Sequence, residues 1–376
     1  MSRETASPRL GDRQRLHWLR LIRTPNVGPS SFRDLINRFG SAESALEMLP
    51  ELMLSGGLGR SVRIPSMSQA EQELDELARA GARLVGIGEP EYPPVLRQME
   101  NAPPMLSIKG EPAVFSLPPV AIVGARNASL AGVKMARTLA ASLGAEGFAV
   151  VSGLARGIDT AAHQGGLSTG TIAVFAGGLQ RPYPPDNAVL ADEIAGRGGA
   201  LVSEMPFGWE PRAQDFPRRN RIIAGLSLGL VVVEAALRSG SLISARLATE
   251  MGRLVFAVPG SPLDPRAAGC NALLKEGATL VTEWEDVVNA IRPLSGRPVS
   301  LPGGLAEPPD FGSTPPAGEA ERASVVEALG PTPVSIDELI RHTGLPAAQM
   351  FMILLELDLA GRLERHAGGA VSLIMA

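Results

Sequence analysis

Two glycine-broken turns stand close together in the middle of the chain and limit what it can fold into. The first is VAIVGARNAS, Val120 to Ser129, and the second is AVVSGLARGIDTAAH, Ala149 to His163; they carry Arg126 and Arg156. Each pattern predicts a buried β-strand, a glycine turn and the first turn of a helix. Such a turn directs backbone N–H groups and the positive end of a helix dipole at one point, which attracts phosphate. Two such turns on neighbouring strands predict a ligand with several phosphates.

Residues 81–291 alternate short apolar runs with helical stretches. This alternation predicts an α/β fold, a Rossmann-like doubly wound parallel sheet with its ligand crevice at the carboxyl ends of the strands. The runs are continuously apolar, as expected for strands buried on both faces. The predicted strands are Leu84–Ile87, Met105–Ile108, Val120–Val123, Ala149–Ser152, Thr171–Phe175, Ala200–Ser203, Gly229–Val233, Leu254–Val258 and Thr279–Val281.

Residues 1–80 are predicted to form an N-terminal all-helical domain of the sterile-alpha-motif or helix-hairpin-helix type. The break between its first two helices, 24–30, contains Pro25, Gly28 and Pro29. It resembles a helix-hairpin-helix, a module whose hairpin amides hold a DNA phosphate, although Asn26 stands where the first hairpin glycine usually lies. We favour a structural helical cap over a DNA contact for this domain.

The C-terminal third of the chain changes character twice. Residues 292–320 are rich in proline and glycine and are predicted to be a flexible linker. Residues 321–376 show three helices and a hairpin, the outline of a small winged-helix domain. Its third helix, PAAQMFMILLELDLA, contains no Lys or Arg. Because a recognition helix needs cations to neutralise phosphates, we expect this domain to contact protein and not to read DNA.

Composition excludes several classes of site. The net charge is -4, so any nucleic-acid binding must come from a local patch. The single cysteine, Cys270, excludes an internal disulfide, and the 4 histidines lack ligand spacing, so no metal site is predicted. No apolar run reaches membrane-spanning length and the N-terminal residues lack a signal-peptide apolar region, so we expect a cytoplasmic protein without a membrane partner.

Dinucleotide and mononucleotide fingerprints are both missing. The residues after Gly124 are ARNAS, without the further glycines of G-x-G-x-x-G, and no acid ends the next strand. The G-K-[ST] of a Walker P-loop does not occur. No cofactor is therefore predicted.

Two further segments are candidates for the same crevice. Arg218, Arg219 and Arg221 crowd the start of a buried helix around Asn220, where cations oppose the helix dipole unless an anion lies there. The turn 239–241, Ser-Gly-Ser, also follows a strand end and offers N–H and hydroxyl donors. A plain helix N-cap explains this turn equally well.

Acid–base chemistry has few candidates near the crevice. They are Asp159, His163, Glu204 and Glu234. A Ser152–His163–Asp159 triad is conceivable, but an Asp and a His four residues apart on one helix more often have a structural role, which we favour. No catalytic residue is predicted.

The segment YPPDN, 183–187, is predicted to be a rigid turn. Asp186 or Asn187 is a candidate helix cap. Since the turn lies at a strand end, Tyr183 is a candidate for stacking on a nucleic-acid base.

Taken together, six motifs resemble the DNA-processing protein A family (DprA, also called Smf): VAIVGAR, SGLARGIDTAAH, YPPDN, SEMPFG, FPRRNRIIAGL and EAALRSGSLISAR. The resemblance covers about residues 83–290. It implies a Rossmann-like domain that binds single-stranded DNA without known catalysis. It also implies a homodimer that protects incoming strands in natural transformation and loads the RecA recombinase.

The resemblance also implies the site residues. The family's Gly-Ser/Thr-Arg motif contacts backbone phosphate; here it is Gly124-Ala125-Arg126, which keeps the arginine and lacks the hydroxyl. The 152–153 turn and the 219–221 stretch match their counterparts. The predicted phosphate-binding residues are Gly124, Arg126, Ser152, Gly153, Arg156, Arg219, Asn220, Arg221, Ser239, Gly240 and Ser241.

The competing hypothesis is a protein that acts on nucleotides. The fold is similar to that of nucleotide phosphoribohydrolases of the lysine-decarboxylase-like type, whose P-G-G-x-G-T-x-x-E stretch supplies a catalytic glutamate. Here the region reads LRSGSLIS, 237–244, without that glutamate. A nucleotide-sensing module without a DNA partner is the third possibility.

Overall fold

The computed structural model describes residues 9–57, 62–295 and 317–374, which fall into two compact units. The central unit comprises the described residues of 72–295 together with Arg9, and the terminal unit comprises 10–71 and 317–374. Most of the predicted linker, 296–316, lies outside the described residues. Within the described residues, no helix is both long enough and apolar enough to cross a bilayer.

The first four helices belong to the N-terminal part of the chain. They are α1 Asp12–Ile22, α2 Pro29–Phe39, α3 Ala42–Ser55 and α4 Met67–Arg79. Trp18 packs edge-to-face on Phe32 with 5.0 Å between ring centroids, which joins α1 to α2. Pro29 occupies the first position of α2 and Ser41 caps α3, the residue types that start helices.

The central unit is built on a 9-stranded sheet in which every predicted strand is present. The strands are β1 Ala82–Gly86, β2 Met105–Gly110, β3 Pro119–Gly124, β4 Ala149–Ser152, β5 Thr171–Val174, β6 Ala200–Ser203, β7 Gly229–Val233, β8 Leu254–Ala257 and β9 Thr279–Leu280. The helices are α5 Pro94–Arg97, α6 Leu130–Ala145, α7 Ile158–Gly166, α8 Ala188–Gly196, α9 Asp215–Gly225, α10 Gly240–Glu250, α11 Ala268–Lys275 and α12 Trp284–Ser295.

The sheet is mostly, not entirely, parallel. Strands β3 to β9 pair in parallel, whereas β1 pairs antiparallel with β2, and β2 pairs antiparallel with β6. Between β1 and β2 the chain forms only the short helix α5, which is too little for the crossover that a parallel pair requires. The predicted doubly wound fold is confirmed, and the sequence analysis did not predict the two antiparallel pairings at this edge.

The strand order, β1-β2-β6-β5-β4-β3-β7-β8-β9, places the ligand crevice. Strands β4, β5 and β6 follow one another on one side of β3, and strands β7, β8 and β9 follow one another on its other side. The point where the order reverses lies between β3 and β7, and crevices open there beyond the carboxyl ends of the strands. Gly124 and Val233 are paired across this point.

Both faces of the sheet are buried, as the apolar runs predicted. Ala121 and Val123 of β3 face one core cluster, which includes side chains of α9, α10 and α11. Val120 and Ile122 face the other, with α6, α7 and α12. This double burial holds the strand ends rigidly and leaves the connecting turns to form the site.

The C-terminal part of the terminal unit has the winged-helix outline. Its elements are α13 Glu319–Ala328, β10 Val334–Ser335, α14 Ile336–Thr343, α15 Ala347–Leu359, β11 Leu363–Arg365 and β12 Ala370–Leu373. Ser335 caps α14, because its hydroxyl accepts from the Glu338 N–H at 3.2 Å. The predicted hairpin pairs β11 with β12 antiparallel, and β10 adds a third strand that the sequence did not indicate.

Candidate functional site

The turn after β3 is fixed by close backbone packing. A Cβ at Gly124 would overlap the carbonyl oxygen of Val233, so only glycine lets β3 and β7 end this close together. Arg126 and Asn127 follow as exposed residues, and their backbone N–H groups find no acceptor within the described part of the chain. This turn therefore offers the free donors that its sequence predicted.

Glu234 clamps the same turn from the neighbouring strand. It adopts a left-handed backbone conformation with φ 57° directly after β7. Its carboxylate accepts the Ser129 N–H at 2.8 Å and also the Ser129 hydroxyl. The Ser129 hydroxyl in turn accepts the Gly132 N–H at 3.0 Å and caps α6. The first turn is thus tied to β7 as well as to its own helix.

The ring of Phe216, in the first turn of α9, organises the crevice. The Arg126 guanidinium lies over this ring at 5.1 Å from its centroid, and the Arg219 guanidinium lies at 6.0 Å. Tyr183 meets the same ring edge-on, with centroids 5.3 Å apart. Cations attracted to an aromatic face in this way are held in position while they keep their charge.

Two cavities open on either side of this stack. The larger has a volume of about 630 Å³ and extends toward the start of α10, where Ser239, Gly240 and Ser241 line it. The smaller has a volume of about 330 Å³ and extends toward Arg156 and Tyr183. Arg126, Asn127, Ala155, Phe216 and Arg219 line both cavities. They therefore adjoin along a shared wall.

The turn after β4 uses its own N–H groups internally. The Asp159 carboxylate accepts from the N–H groups of Gly153 at 3.1 Å and Ala155 at 3.3 Å. The Leu154 N–H donates to Nε2 of His163 at 3.3 Å. These three amides are not offered to a phosphate, in contrast to the expectation for this turn. Asn187 also serves this turn, because its amide donates to the Leu154 carbonyl at 2.8 Å and does not cap α8.

Arg219 lies beneath the second turn. Its guanidinium donates to the carbonyl oxygens of Gly153 and, at 2.9 Å, of Val174, and the residue is only 5% exposed. Burial lowers the pKa of Arg219 to about 10, while the nearby Asp159 carboxylate acts in the opposite direction. Burial also disfavours the charged form of Asp159, which raises the pKa of that carboxyl group. A Cβ at Gly153 would overlap the guanidinium, so this glycine makes room for it.

The candidate acid–base residues all have structural partners. His163 Nδ1 donates to the Thr171 hydroxyl at 2.8 Å, given that Nε2 accepts from Leu154, and burial lowers its pKa to about 3. The Ser152 hydroxyl donates to the Ile122 carbonyl at 2.7 Å, so the conceivable triad does not form. Glu204 is paired with Arg218 at 3.0 Å and with Arg221.

Most of the predicted phosphate-binding residues come together. Ten predicted residues, including Tyr183, line one or both cavities: Gly124, Arg126, Gly153, Arg156, Tyr183, Arg219, Asn220, Ser239, Gly240 and Ser241. Two do not. The Ser152 side chain is buried within the sheet, and Arg221 donates to the Asn101 carbonyl at 2.6 Å and pairs with Glu204 away from both cavities.

Sequence reasoning missed several lining residues. They are Asn127, Phe216, Arg238 and Arg266. Arg238 lies in the turn after β7 and is exposed, and Arg266 pairs with Asp264 at 2.9 Å. Phe216 stands two residues before the arginine cluster that was recognised, so an aromatic next to clustered cations was an available signal. Among the described residues no group of three or more His, Cys, Asp or Glu side chains is placed to hold a metal ion.

Three family models match this chain, and one of them covers the sheet and its crevice. The model of DNA recombination-mediator protein A matches residues 83–292, the whole sheet and its crevice. The chain belongs to the DNA-processing protein A family. Two further models of this family match the flanks: the DprA-like N-terminal HHH domain over residues 12–75 and the DprA winged helix domain over 307–369.

Individual family members show the same relationship. Protein Smf of Escherichia coli (strain K12) is 39% identical over 285 residues, 75% of this chain and 75% of that protein. The X-ray structure of DprA from Streptococcus pneumoniae aligns with TM-score 0.57 and 35% identity, over 74% of this chain and 93% of that one. DprA from Helicobacter pylori, whose structure was described for its single-stranded DNA binding mode, aligns with TM-score 0.50 and 30% identity, over 54% and 93%.

Proposed function

We propose that this chain binds single-stranded DNA without regard to base sequence, through the two adjoining cavities at the carboxyl edge of the central sheet. In this proposal it acts in the cytoplasm in DNA processing for transformation. It works as a homodimer and passes the bound strand to the RecA recombinase. The single-stranded DNA binding mode described for the Helicobacter pylori relative supports the choice of a single strand.

The observation that carries the proposal is the stack of Arg126, Phe216 and Arg219 between the cavities. Two cations on one aromatic ring place positive charge beside a π-surface, and a single strand presents phosphates and bases in the same alternation. The larger cavity has the N-terminus of α10 and Arg238 as additional attractions for phosphate. The smaller has the exposed ring of Tyr183.

Selectivity for single strands follows from the same arrangement. A base that stacks on Tyr183 must first leave its own stack, which costs far less in a single strand than in a duplex. The arginines contact charge and not base edges, so affinity is expected to depend on salt and hardly on sequence. Recombinase loading and the homodimer rest on the family relationship alone.

The test is a fluorescence titration of a labelled single-stranded oligonucleotide at low and moderate salt, with a duplex of equal length in parallel. We expect tighter, salt-dependent binding of the single strand. The variant Arg126→Ala/Arg238→Ala removes two exposed cations of the larger cavity and should reduce the slope of log affinity against log salt by about 1.4, since each phosphate contact on a single strand contributes about 0.7. The control Arg197→Ala removes an exposed arginine that follows α8 and lies before the amino end of β6, whereas the cavities lie at the carboxyl ends of the strands.

Three outcomes decide between the hypotheses. Loss of slope in the double variant but not in Arg197→Ala supports the proposed interface. Binding that is unchanged in both variants rejects this interface. Binding of mononucleotides without binding of the oligonucleotide at low salt rejects the DNA function and favours the nucleotide-hydrolysing or nucleotide-sensing alternative.

A further inference from the structure

The hairpin between α1 and α2, residues 24–30, has the sequence outline of a DNA phosphate site. The backbone N–H groups of Thr24, Val27 and Gly28, however, are already engaged locally, and Pro25 and Pro29 have none. The Val27 N–H donates to the Thr24 carbonyl at 3.2 Å, and the Gly28 N–H donates to the Ser31 hydroxyl at 2.9 Å. N–H groups that are bonded within the hairpin are not available to a DNA phosphate.

Asn26, at the tip of the hairpin, contacts the winged-helix part of the chain. It adopts φ 64°, a left-handed conformation that asparagine tolerates better than most residues. Its side-chain amide donates to the carbonyl of Leu359, the last residue of α15, at 3.1 Å. Gly361 lies so close that a Cβ there would stand 3.1 Å from the Asn26 amide nitrogen. Asn26 therefore stands where a helix-hairpin-helix usually has its first hairpin glycine, and its side chain contacts the end of α15.

A second contact lies at the end of α3. A Cβ at Gly56 would overlap the carbonyl oxygen of Glu356 in α15, so the two backbones touch here. The Arg362 guanidinium returns the contact by donating to the Gly56 carbonyl at 3.2 Å. Such an approach between segments 300 residues apart in sequence requires glycine at this position.

Charged pairs complete the contact. Arg365 of β11 bridges Asp34 of α2 at 3.2 Å and Asp358 of α15 at 3.1 Å. Glu356, only 3% exposed, is held by Arg322 at 2.7 Å. Burial lowers the pKa of Arg38 in α2, and the charge of Glu356 acts in the opposite direction. The N-terminal helices therefore present complementary charge to α15 and β11 as well as complementary shape.

We propose that the hairpin 24–30 and the end of α3 form a docking surface for the winged-helix part of the same chain, namely the end of α15 and the start of β11. While this contact is made, the hairpin does not take DNA. In this proposal the helix-hairpin-helix segment binds the N-terminal helices to the winged-helix part within the terminal unit.

The test is hydrogen–deuterium exchange on the full-length chain and its Gly56→Ala variant. Gly56 has φ -71°, which alanine adopts freely, so the substitution disturbs the contacts with Glu356 and Ala360 of the winged-helix part and not the local backbone. We expect exchange in segments 24–30 and 356–362 to accelerate by at least about tenfold, while the cores of α1 and α13 keep their protection. The control Gly11→Ala has no atom within 4 Å of the new Cβ and should leave exchange unchanged.

A second variant guards against a general loss of folding. Asn26→Gly keeps the left-handed backbone but removes the bond to Leu359, so it should accelerate the same two segments more weakly. Unchanged exchange of these segments in both variants overturns the proposal. So does new protection of 24–30 when a duplex oligonucleotide is added to the unaltered chain, because that would place DNA on the hairpin. If Gly56→Ala unfolds the N-terminal helices, the Asn26→Gly result decides.

Discussion

At the carboxyl edge of the central sheet, the turn after β3 is open to solvent, whereas the turn after β4 is filled by its own side chains. In the first, Arg126 and Asn127 stand exposed and their N–H groups are free of acceptors in the described chain. In the second, Asp159 and His163 take the amides and Arg219 takes a carbonyl. In our proposal the first turn contacts the ligand, whereas the amides of the second turn stabilise the turn itself. A glycine turn at a strand end is thus not by itself a ligand site.

The largest expected effect breaks the second turn. Arg219→Ala leaves the Gly153 and Val174 carbonyls without their donor. We expect a loss of about 2–6 kcal/mol in the free energy of unfolding, because each buried group left without a partner costs about 1–3 kcal/mol. Denaturant unfolding measures it.

The neighbouring residue provides the control. Arg218→Ala removes a half-exposed partner of Glu204, which Arg221 continues to hold, and should cost less than about 1 kcal/mol. Equal losses in the two variants would contradict the structural role given to Arg219.

The next effect concerns acid stability. The folded-state pKa of His163 is about 3, below its ordinary 6.5, because burial disfavours the charged ring. The folded protein therefore binds fewer protons than the unfolded chain, so the stability from this group is complete above pH 6.5 and is lost as the pH falls toward 3. The unfolding free energy should drop by up to about 1.4 kcal/mol per pH unit in this window.

His163→Gln should remove this slope, whereas His342→Gln, at an exposed position, should keep it. Urea unfolding at several pH values compares the three proteins. A slope that survives in His163→Gln would mean that another group titrates in this window.

A smaller effect on stability is expected when a glycine of the second turn, and not one at the start of α10, is replaced by alanine. Gly153→Ala places a methyl group on the Arg219 guanidinium and should cost about 1–3 kcal/mol by overpacking. Gly240→Ala enters open space and should change stability by less than about 0.5 kcal/mol. Thermal or denaturant midpoints distinguish them, and a stable Gly153→Ala would show that the guanidinium moves freely.

The smallest expected effect compares the exposed arginines of the two turns in binding. Arg126→Ala should weaken binding of a single-stranded oligonucleotide about three- to tenfold and reduce the salt slope by about 0.7, with little change in stability. Arg156→Ala should weaken it less, because Asp186 already neutralises Arg156 at 2.7 Å. Anisotropy titrations at two salt concentrations test this order, and the reverse order would make the second turn the principal contact.

The sequence was sufficient for the strands and for bringing most of the predicted residues to the two cavities, for a physical reason. Strands buried on both faces are continuous apolar runs, and turns between β3 and α6 or β7 and α10 follow them at fixed places. The antiparallel pairing of β1 was not visible, because pairing direction depends on how the connection packs. The engagement of the second turn depends on Asp159 and His163 reaching back from α7, a distance that residue types alone do not reveal. Phe216 was missed because its neighbours in space, Arg126 and Tyr183, are distant in sequence.

The Glu234 clamp on Ser129 has a kinetic consequence. The backbone of the first turn is already held by Glu234 and by the cap of α6. Binding of a ligand therefore does not have to order a loop, and the free energy of binding is not reduced by such an ordering cost. Association is then expected to proceed in a single phase whose rate is set by diffusion and charge, and differences between ligands appear in their residence times. Glu234→Gln weakens this clamp and should introduce a slower second phase into the approach to equilibrium.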